Sequence, residues 1–394
     1  MTPDVEGGLT VALTLDGDRI RDAAIRSNRP VRASRVFEGR APGDVVRLIP
    51  YLFAVCGTAQ TVAALEALEE AQRMRMDGGQ HRARHRLVAL ETVREHLTRI
   101  FLDWPSLMGG EPRKASAAAS HRLPRTGLEA LFPNGDMATV GGGRMVGAHD
   151  SALEGVQEDL HALVAEALGL APATFLALGG PQDLAHWAEA WAERAPAAAY
   201  IRALLEGGRG KWGAATPGAL PGLPRRELAD RLAADADGTF AARPEWDGGP
   251  RETGPLARWW DHPLVAAVRA QWGEGLLARH VARLVEVASL AISLDALSPN
   301  GGETELEAVG DKAGLGTVAA ARGRLDHFAE VAEGAITRYR ILAPTEWNFH
   351  PRGPLYSGLI GESVPPGVEP ETAVRELVAA VDPCVACEVE LTRA

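Results

Sequence analysis

The chain has 394 residues, 46% of them hydrophobic, and a formal net charge of −11. This acidic balance argues against a nucleic-acid-binding protein, which would carry a basic surface. Three cysteines in so long a chain exclude a disulfide-stabilised scaffold. No apolar run reaches the ~20 residues of a membrane span, and the acidic first residues do not form a signal peptide. We therefore expect a cytoplasmic protein without membrane insertion, whose thiols are free or metal-bound.

The predicted elements begin with a β-hairpin. Residues 9–15 alternate apolar and polar side chains, and a turn at 16–18 precedes a second strand at 19–25. Asp44 can cap a helix that begins at Val45 and leads towards Cys56. The alanine-rich middle of the chain has apolar residues at three- and four-residue spacing, which indicates helices. The predicted long helices are 61–74, 82–104, 151–168, 181–205 and 263–294.

Two glycine- and proline-rich stretches, 106–147 and 207–255, interrupt the helical pattern. Structureless segments of this length are uncommon inside compact domains and are usually functional or mobile. The C-terminal part returns to a strand pattern at 336–341 and a helix at 371–380. The Asp382-Pro383 pair ends that helix, so the cysteines that follow are expected on a turn.

Cys384 and Cys387 form a C-x-x-C pair on this turn, where both sulfurs could bind one metal or close a small disulfide. Only Cys56 is left elsewhere, so a four-cysteine zinc site within one chain is impossible. A thioredoxin-like motif would begin a helix rather than follow one. Ligation of a soft metal and an ordinary pair of cysteines both remain open.

The histidines offer a weaker pattern for metal binding. His81 and His85 are four residues apart, and His96 is predicted to lie on the same helix. No H-E-x-x-H pattern accompanies them. We interpret them as solvated surface histidines.

Five separated stretches match one set of motifs. Residues 37–44 read FEGRAPGD and correspond to E-G-R-D-P-x-D, and residues 54–59 read AVCGTA and correspond to R-x-C-G-x-C. Residues 314–325 read GLGTVAAARGRL, against G-x-G-x-x-E-A-P-R-G-x-L. Residues 344–352 read PTEWNFHPR, against P-T-x-W-N-x-S-P-R, and residues 382–390 read DPCVACEVE, against D-P-C-x-x-C-x-x-H. In this order they resemble the active-site large subunit of nickel–iron hydrogenases, and more closely the HupK/HoxV-type hydrogenase maturation proteins.

The departures from the enzyme motifs concern its metal ligands. By resemblance, Cys56 and Cys384 correspond to the terminal thiolates of nickel, and Cys387 to a thiolate that bridges nickel and iron. Ala59 stands where the second bridging cysteine is expected. Ser34 replaces a glutamate implied in proton transfer, and Glu390 replaces the final histidine. The resemblance therefore implies poor nickel binding and a protein that is not an enzyme.

An iron site could survive these losses. The family's iron carries two cyanides and one carbon monoxide, Fe(CN)2(CO), and the resemblance implies that Arg322 and Thr345 donate hydrogen bonds to the cyanides beside Pro344. The residues alone leave open a surface ion pair for Arg322 and a turn position for Thr345. Asp382 could pair with an arginine and orient the turn, or simply end the helix.

The fold implied by the resemblance is mainly α (α+β): a single large-subunit-like domain, 1–394, with a central helical bundle and small α/β parts built from both ends. Its parts are an N-terminal hairpin and cysteine motif (1–60), a helical bundle with long loops (61–310) and a C-terminal α/β segment (311–394). The termini must then meet, since Cys56, Cys384 and Cys387 should all face one pocket.

The function implied is that of a maturation scaffold that transiently holds Fe(CN)2(CO) on Cys387, with Cys56 or Cys384, and passes it to a hydrogenase large subunit. Maturation chaperones and that subunit are the implied partners. The alternatives are a divergent nickel–iron hydrogenase-like redox subunit, which would need nickel, and a metal-free decoy that occupies a chaperone.

Overall fold

The computed structural model describes residues 7–30, 32–74, 77–142, 153–214, 217–297 and 308–394. The described part of the chain is mainly helical, with mixed α/β parts at its two ends, as expected from the sequence. The helices are α1 (Pro42–Leu52), α2 (Gly57–Ala71), α3 (Gly78–Thr98), α4 (Trp104–Leu107), α5 (Lys114–Ser120), α6 (Leu123–Leu131), α7 (Glu154–Leu168), α8 (Pro172–Leu176), α9 (Pro181–Trp191), α10 (Pro196–Glu206), α11 (Arg225–Ala234), α12 (Thr239–Ala242), α13 (Pro255–Arg258), α14 (Pro263–Trp272), α15 (Leu276–Ile292), α16 (Pro344–Asn348), α17 (Pro354–Leu359) and α18 (Pro370–Val381). A 3-10 turn, Ala33–Phe37, precedes α1, and a π-helical turn, Arg99–Asp103, joins α3 to α4. Among the described residues, no helix combines the length and apolar character that a membrane crossing requires.

The two ends of the chain share one small sheet. Strands β1 (Leu9–Asp16) and β2 (Arg19–Ser27) form the expected antiparallel hairpin, and β6 (Cys387–Arg393) pairs parallel to β1. In this register Leu9 lies opposite Cys387. The prediction that the termini meet is therefore confirmed, and the pairing brings the C-terminal cysteine turn close to the N-terminal part of the chain.

A second sheet packs against α2, the helix that follows Cys56. Strands β3 (Ala313–Ala320), β4 (Gly323–Ala332) and β5 (Ala335–Leu342) form an antiparallel meander in sequence order. Helix α2 packs against β3, because Gly314 and Gly316 present no side chain to it. A Cβ atom at either position would overlap a backbone carbonyl of α2. The two glycines thus allow the close approach that positions the N-terminus of α2.

We expect the substitution Gly316→Ala to lower the free energy of unfolding by about 1–3 kcal/mol, because the added methyl must push β3 away from α2. Urea unfolding followed by circular dichroism measures this loss. Gly155→Ala in α7 is the matched control, since nothing lies near its added methyl, and an unstrained helical glycine-to-alanine change is neutral or stabilising by up to about 1 kcal/mol. Equal stability of the two variants would contradict the close-approach argument.

Several predicted boundaries are wrong for local reasons. The helix expected over 181–205 is two helices, α9 and α10, because Pro196 cannot continue the first. The helix expected over 263–294 breaks at Gly273, which has a φ of 68°. The stretches expected to be irregular contain α5 and α6 in 106–147, and α11 and α12 in 207–255. Part of each stretch, and residues 151 and 152 of a predicted helix, lie outside the described residues.

Candidate metal centre

Cys56 and Cys384 face one cavity between the N-terminus of α2 and the turn after α18. Cys56 immediately precedes α2, and Cys384 follows the end of α18 by three residues. Both line the cavity together with Pro344 and Arg322. The sequence elements that the motifs singled out at opposite ends of the chain therefore converge. The remaining lining is mixed. Its apolar part consists of Phe53, Val55, Ala320, Ala321, Leu325, Ala343 and Val385, and its polar part of Arg29, Gln60, Glu91 and Glu95.

Arg322 stands on the tight turn between β3 and β4 and is 4% exposed, so a surface ion pair is ruled out. Its Nη2 donates to Glu95 Oε2 over 2.9 Å and lies 3.4 Å from Asp382 Oδ1. Its Nε and Nη1 are buried and have no hydrogen-bond partner among the described residues. The guanidinium thus keeps donor capacity beside the cavity, where an acceptor would satisfy it.

Hydrogen bonds from Asn348 and Arg258 hold the backbone of the turn that carries Arg322. Asn348 Nδ2 donates to the carbonyl oxygen of Arg322 over 3.0 Å, and the Arg258 guanidinium donates to the carbonyls of Ala320 and Ala321. Gly323 has a φ of 139°, and a Cβ there would clash with Thr253. Such a turn fixes the direction of the guanidinium more firmly than a mobile loop would.

Thr345 is 2% exposed and lies in the first turn of α16. Its hydroxyl oxygen is 3.1 Å from Cys384 Sγ. The sequence left open whether Thr345 is only a turn residue. The structure buries its side chain, and its hydroxyl contacts the sulfur of Cys384. A hydroxyl at this distance can donate to a thiolate and stabilise it.

Asp382 orients the cysteine turn and also ends α18, so both interpretations of this residue hold. It adopts a left-handed conformation with a φ of 67°, and its carboxylate is almost fully buried. Arg99 Nη2 lies 2.9 Å from Oδ1, and Arg283 Nη2 lies 3.6 Å from Oδ2. Although burial opposes ionisation, the guanidinium groups of Arg322, Arg99 and Arg283 lower the pKa of Asp382 strongly. The turn is thus anchored to three cations by one carboxylate.

Glu91 caps the N-terminus of α2, next to Cys56. Its two carboxylate oxygens accept from the backbone N–H groups of Thr58 and Ala59, over 2.8 and 3.0 Å. Burial raises the pKa of Glu91, and the two N–H groups oppose this shift. The side chain of Ala59 is a buried methyl group and offers no ligand atom of its own.

A series of buried side-chain hydrogen bonds leads to the sulfur of Cys56. Gln60 Nε2 donates to Cys56 Sγ over 3.7 Å, and Gln60 Oε1 lies 2.7 Å from His327 Nε2. Since Oε1 can only accept, Nε2 of His327 carries a proton, and its Nδ1 accepts from the Tyr339 hydroxyl over 2.7 Å. Burial lowers the pKa of His327 to about 3, so the ring is neutral. These hydrogen bonds therefore orient the amide N–H of Gln60 towards the sulfur of Cys56.

The surroundings of Cys56 favour the protonated form of its thiol. Burial raises its pKa far above the ordinary value, as do the nearby Cys384 and Glu91, while Arg322 opposes the shift. A metal ion that binds here must displace the proton, and its positive charge would favour the thiolate.

Cys387 lies outside this cavity. As the first residue of β6 it lines a neighbouring groove together with Arg99, Asp103, Arg375 and Val389. The turn 382–385 forms the wall between the groove and the cavity, since Val385 lines both. The expectation that all three cysteines face one pocket is therefore wrong for Cys387 in this structure.

Burial raises the pKa of the Cys387 thiol to about 11. We expect its alkylation by iodoacetamide to accelerate roughly tenfold for each pH unit between pH 7 and pH 10, because the thiolate fraction grows by that factor below the pKa. Rates are measured by mass spectrometry in the Cys56→Ser, Cys384→Ser double variant, which leaves one thiol. A plateau near pH 8.5, typical of an exposed cysteine, would contradict the buried environment.

The motifs identified both cavity cysteines, Arg322, Thr345 and Pro344, but not the residues that support them. Glu91, Gln60 and His327 were not singled out. A signal existed for the first of these, because Glu91 falls within the apolar stripe of α3. Ser34, which by resemblance stands where a glutamate was expected, donates to the carbonyl of Tyr339 and does not line the cavity.

Comparison with known proteins places these features in context. Residues 221–390 match the family model for nickel-dependent hydrogenases. Over its length the chain is 33% identical to the hydrogenase expression/formation protein HupK of Azotobacter vinelandii, covering 98% of this chain and 99% of that protein. It is 31% identical to the hydrogenase expression/formation protein HoxV of Cupriavidus necator, covering 93% of this chain and 92% of the relative.

Solved structures show the same fold. A chain of the reduced Ni-Fe-Se hydrogenase from Desulfomicrobium baculatum superposes with a TM-score of 0.58 at 17% identity, covering 94% of this chain and 95% of the other. A chain of the reduced Ni-Fe-Se hydrogenase from D. vulgaris Hildenborough gives a TM-score of 0.55 at 19% identity, with the same coverage. The predicted hydrogenase large-subunit-like fold is confirmed.

Proposed function

Because the chain belongs to the family of HupK/HoxV hydrogenase expression/formation proteins, we propose that it is a non-catalytic scaffold of hydrogenase maturation. It holds the Fe(CN)2(CO) unit transiently as cargo and passes it to a hydrogenase large subunit. The family membership supports a role in maturation. The Fe(CN)2(CO) cargo and its transfer are what the resemblance implies, and the residues of the cavity support them.

The observation that carries the proposal is that two donors of the Arg322 guanidinium, Nε and Nη1, have no partner among the described residues beside two thiols. Thiolates of Cys56 and Cys384 are soft ligands suited to low-spin iron. The buried Nε and Nη1 of Arg322 lack acceptors among the described residues, and cyanide nitrogens would supply them. The apolar lining beside Pro344 suits a carbon monoxide ligand, which accepts hydrogen bonds poorly.

The same cavity is poorly suited to nickel. Four thiolates would be expected for nickel by the family resemblance, whereas Cys56 and Cys384 are the two that line the cavity. Ala59 supplies no bridge, and Cys387 opens onto the groove. A site with few thiolates releases iron more easily than a four-thiolate site does, and easy release is what a transfer step requires.

Transfer implies partners on both sides of the step. A maturation chaperone would deliver the iron unit, and the large subunit would accept it. The groove that contains Cys387 adjoins the cavity across the turn 382–385, so a partner that engages the groove could act on the cysteine turn.

Infrared spectroscopy with iron analysis tests the proposal. The protein is purified without oxygen from cells that express the hydrogenase maturation machinery. We expect carbonyl and cyanide bands together with about one iron per chain. Protein with intact cysteines and no such bands would overturn the carrier function, and continued maturation in that case would favour the metal-free decoy. Stoichiometric nickel would instead favour the redox subunit.

A further inference from the structure

Three potential metal ligands converge between α2 and α3, outside the cavity. Glu66 projects from α2, and His81 and His85 project from successive turns of α3. Glu66 Oε1 lies 2.7 Å from His85 Nε2 and 3.3 Å from His81 Nδ1. One ligand atom from each of the three residues lies within 4.8 Å of the others. None of these side chains lines the cavity of Cys56.

The donor set is one carboxylate oxygen and two imidazole nitrogens. This combination binds zinc in catalytic sites that keep a further position for water, and imidazole suits several borderline divalent metals. By contrast, magnesium and calcium prefer sites made of oxygen ligands. The chemistry therefore selects a first-row transition metal of the Zn²⁺, Co²⁺ or Ni²⁺ type.

The surroundings orient the donors as the outer shell of a metal site does. The second carboxylate oxygen of Glu66 accepts from the backbone N–H of Thr317 over 3.1 Å, which leaves Oε1 directed at both rings. The two rings are 4.3 Å apart between centroids. His85 is buried, whereas His81 is partly exposed and gives an ion a route from solvent.

The prediction made for these histidines from the sequence fails for a definable reason. Solvated surface histidines were expected, since no H-E-x-x-H motif accompanies His81 and His85. The carboxylate comes instead from the preceding helix. His85 is 5% exposed and His96 is completely buried, so the surface interpretation is wrong for both residues.

We propose that Glu66, His81 and His85 form a binding site for one divalent transition-metal ion, with solvent completing its coordination. A bound ion would join α2 to α3 and so stabilise the framework from which Cys56 and Glu91 project. The site shares no residue with the cysteine cavity and does not depend on the proposed cargo.

Cobalt titration tests this site in the full-length chain. Cys56, Cys384 and Cys387 are changed to serine so that thiolates do not contribute, and Co²⁺ binding is followed by visible absorption and calorimetry. We expect one Co²⁺ per chain, displaced by Zn²⁺. Glu66→Gln and His81→Ala are expected to weaken binding by at least about 10-fold. His161→Ala, at an exposed histidine of α7, is the matched control and should leave binding unchanged.

The same comparison in the chain with native cysteines guards against a serine variant that does not fold. There, Zn²⁺ should raise the unfolding temperature, because it binds the folded state, and Glu66→Gln should reduce that increase. Absence of Co²⁺ binding in a folded serine variant would overturn the proposal. Binding and Zn²⁺-induced stabilisation that Glu66→Gln and His81→Ala both leave unchanged would also overturn it.

Discussion

Serine in place of Cys384 is expected to remove the carbonyl and cyanide bands from the purified protein and to abolish hydrogenase maturation in cells. A serine hydroxyl is a hard, largely protonated ligand and cannot replace a thiolate on low-spin iron. The iron content should fall by at least about 10-fold, as expected when a metal ligand is lost. Cys56→Ser should have the same effect, since both sulfurs line the cavity.

Cys387→Ser is the matched control, because the substitution is the same and lies only three residues away. Cys387 opens onto the neighbouring groove, so we expect the infrared bands to persist in this variant. The resemblance to hydrogenase large subunits leads to the opposite expectation, since there the corresponding cysteine is a bridge. Bands retained in Cys384→Ser but lost in Cys387→Ser would contradict the assignment made here.

Removing the carboxylate of Asp382 is expected to produce the largest loss of stability. Asp382→Ala leaves the guanidinium groups of Arg99, Arg283 and Arg322 without their shared buried anion. Breaking a buried ion pair on one side typically costs about 3–5 kcal/mol, because the remaining charge is uncompensated. Urea unfolding at pH 7 measures the loss, and Asp382→Asn, which keeps the shape, isolates the part due to charge.

The pH dependence of this contribution has a definite sign. The folded-state pKa of Asp382 is lowered, so its stabilisation is fully present above the unfolded pKa of about 3.9. It is lost only as the pH falls below that value. The stability difference between the protein and Asp382→Asn should therefore be constant from pH 5 to pH 7 and shrink in stronger acid.

Asp103→Ala supplies the control for the Asp382 variants. Asp103 also pairs with Arg99, over 2.8 Å, but both side chains are substantially exposed. Exposed pairs of this kind contribute about 0–1 kcal/mol. A loss in Asp382→Ala as small as that in Asp103→Ala would contradict the view that the buried carboxylate anchors the cysteine turn.

Local patterns predicted most of the outer elements correctly. The hairpin of β1 and β2, the strand β5 and the helix α18 carry clear alternation, periodicity or punctuation, and all four occur close to the predicted bounds. Strand β3 was recognised only as a motif, since glycine and alanine have low strand propensity. Its small residues Gly314 and Gly316 instead allow the close packing against α2.

The cavity was predictable only in part. Cys56, Cys384 and Arg322 were identified because the motifs place them, and the structure brings them together. The orientation of Cys387 was not predictable from its spacing, because it is set by the register of β6 on β1. Supporting residues such as Gln60 and His327 carry no local signature, since they meet only through tertiary packing.

The parallel pairing of β6 with β1 has a consequence for biosynthesis. Residue 9 is translated long before its partner at residue 387, with the whole helical region between them. The cavity wall at 382–385 therefore cannot close around Cys56 on a nascent chain, and long-range pairings of this kind are formed late in folding. If the chain carries the proposed iron unit, loading must accordingly wait until the segment that contains Cys384 has been synthesised and paired with β1.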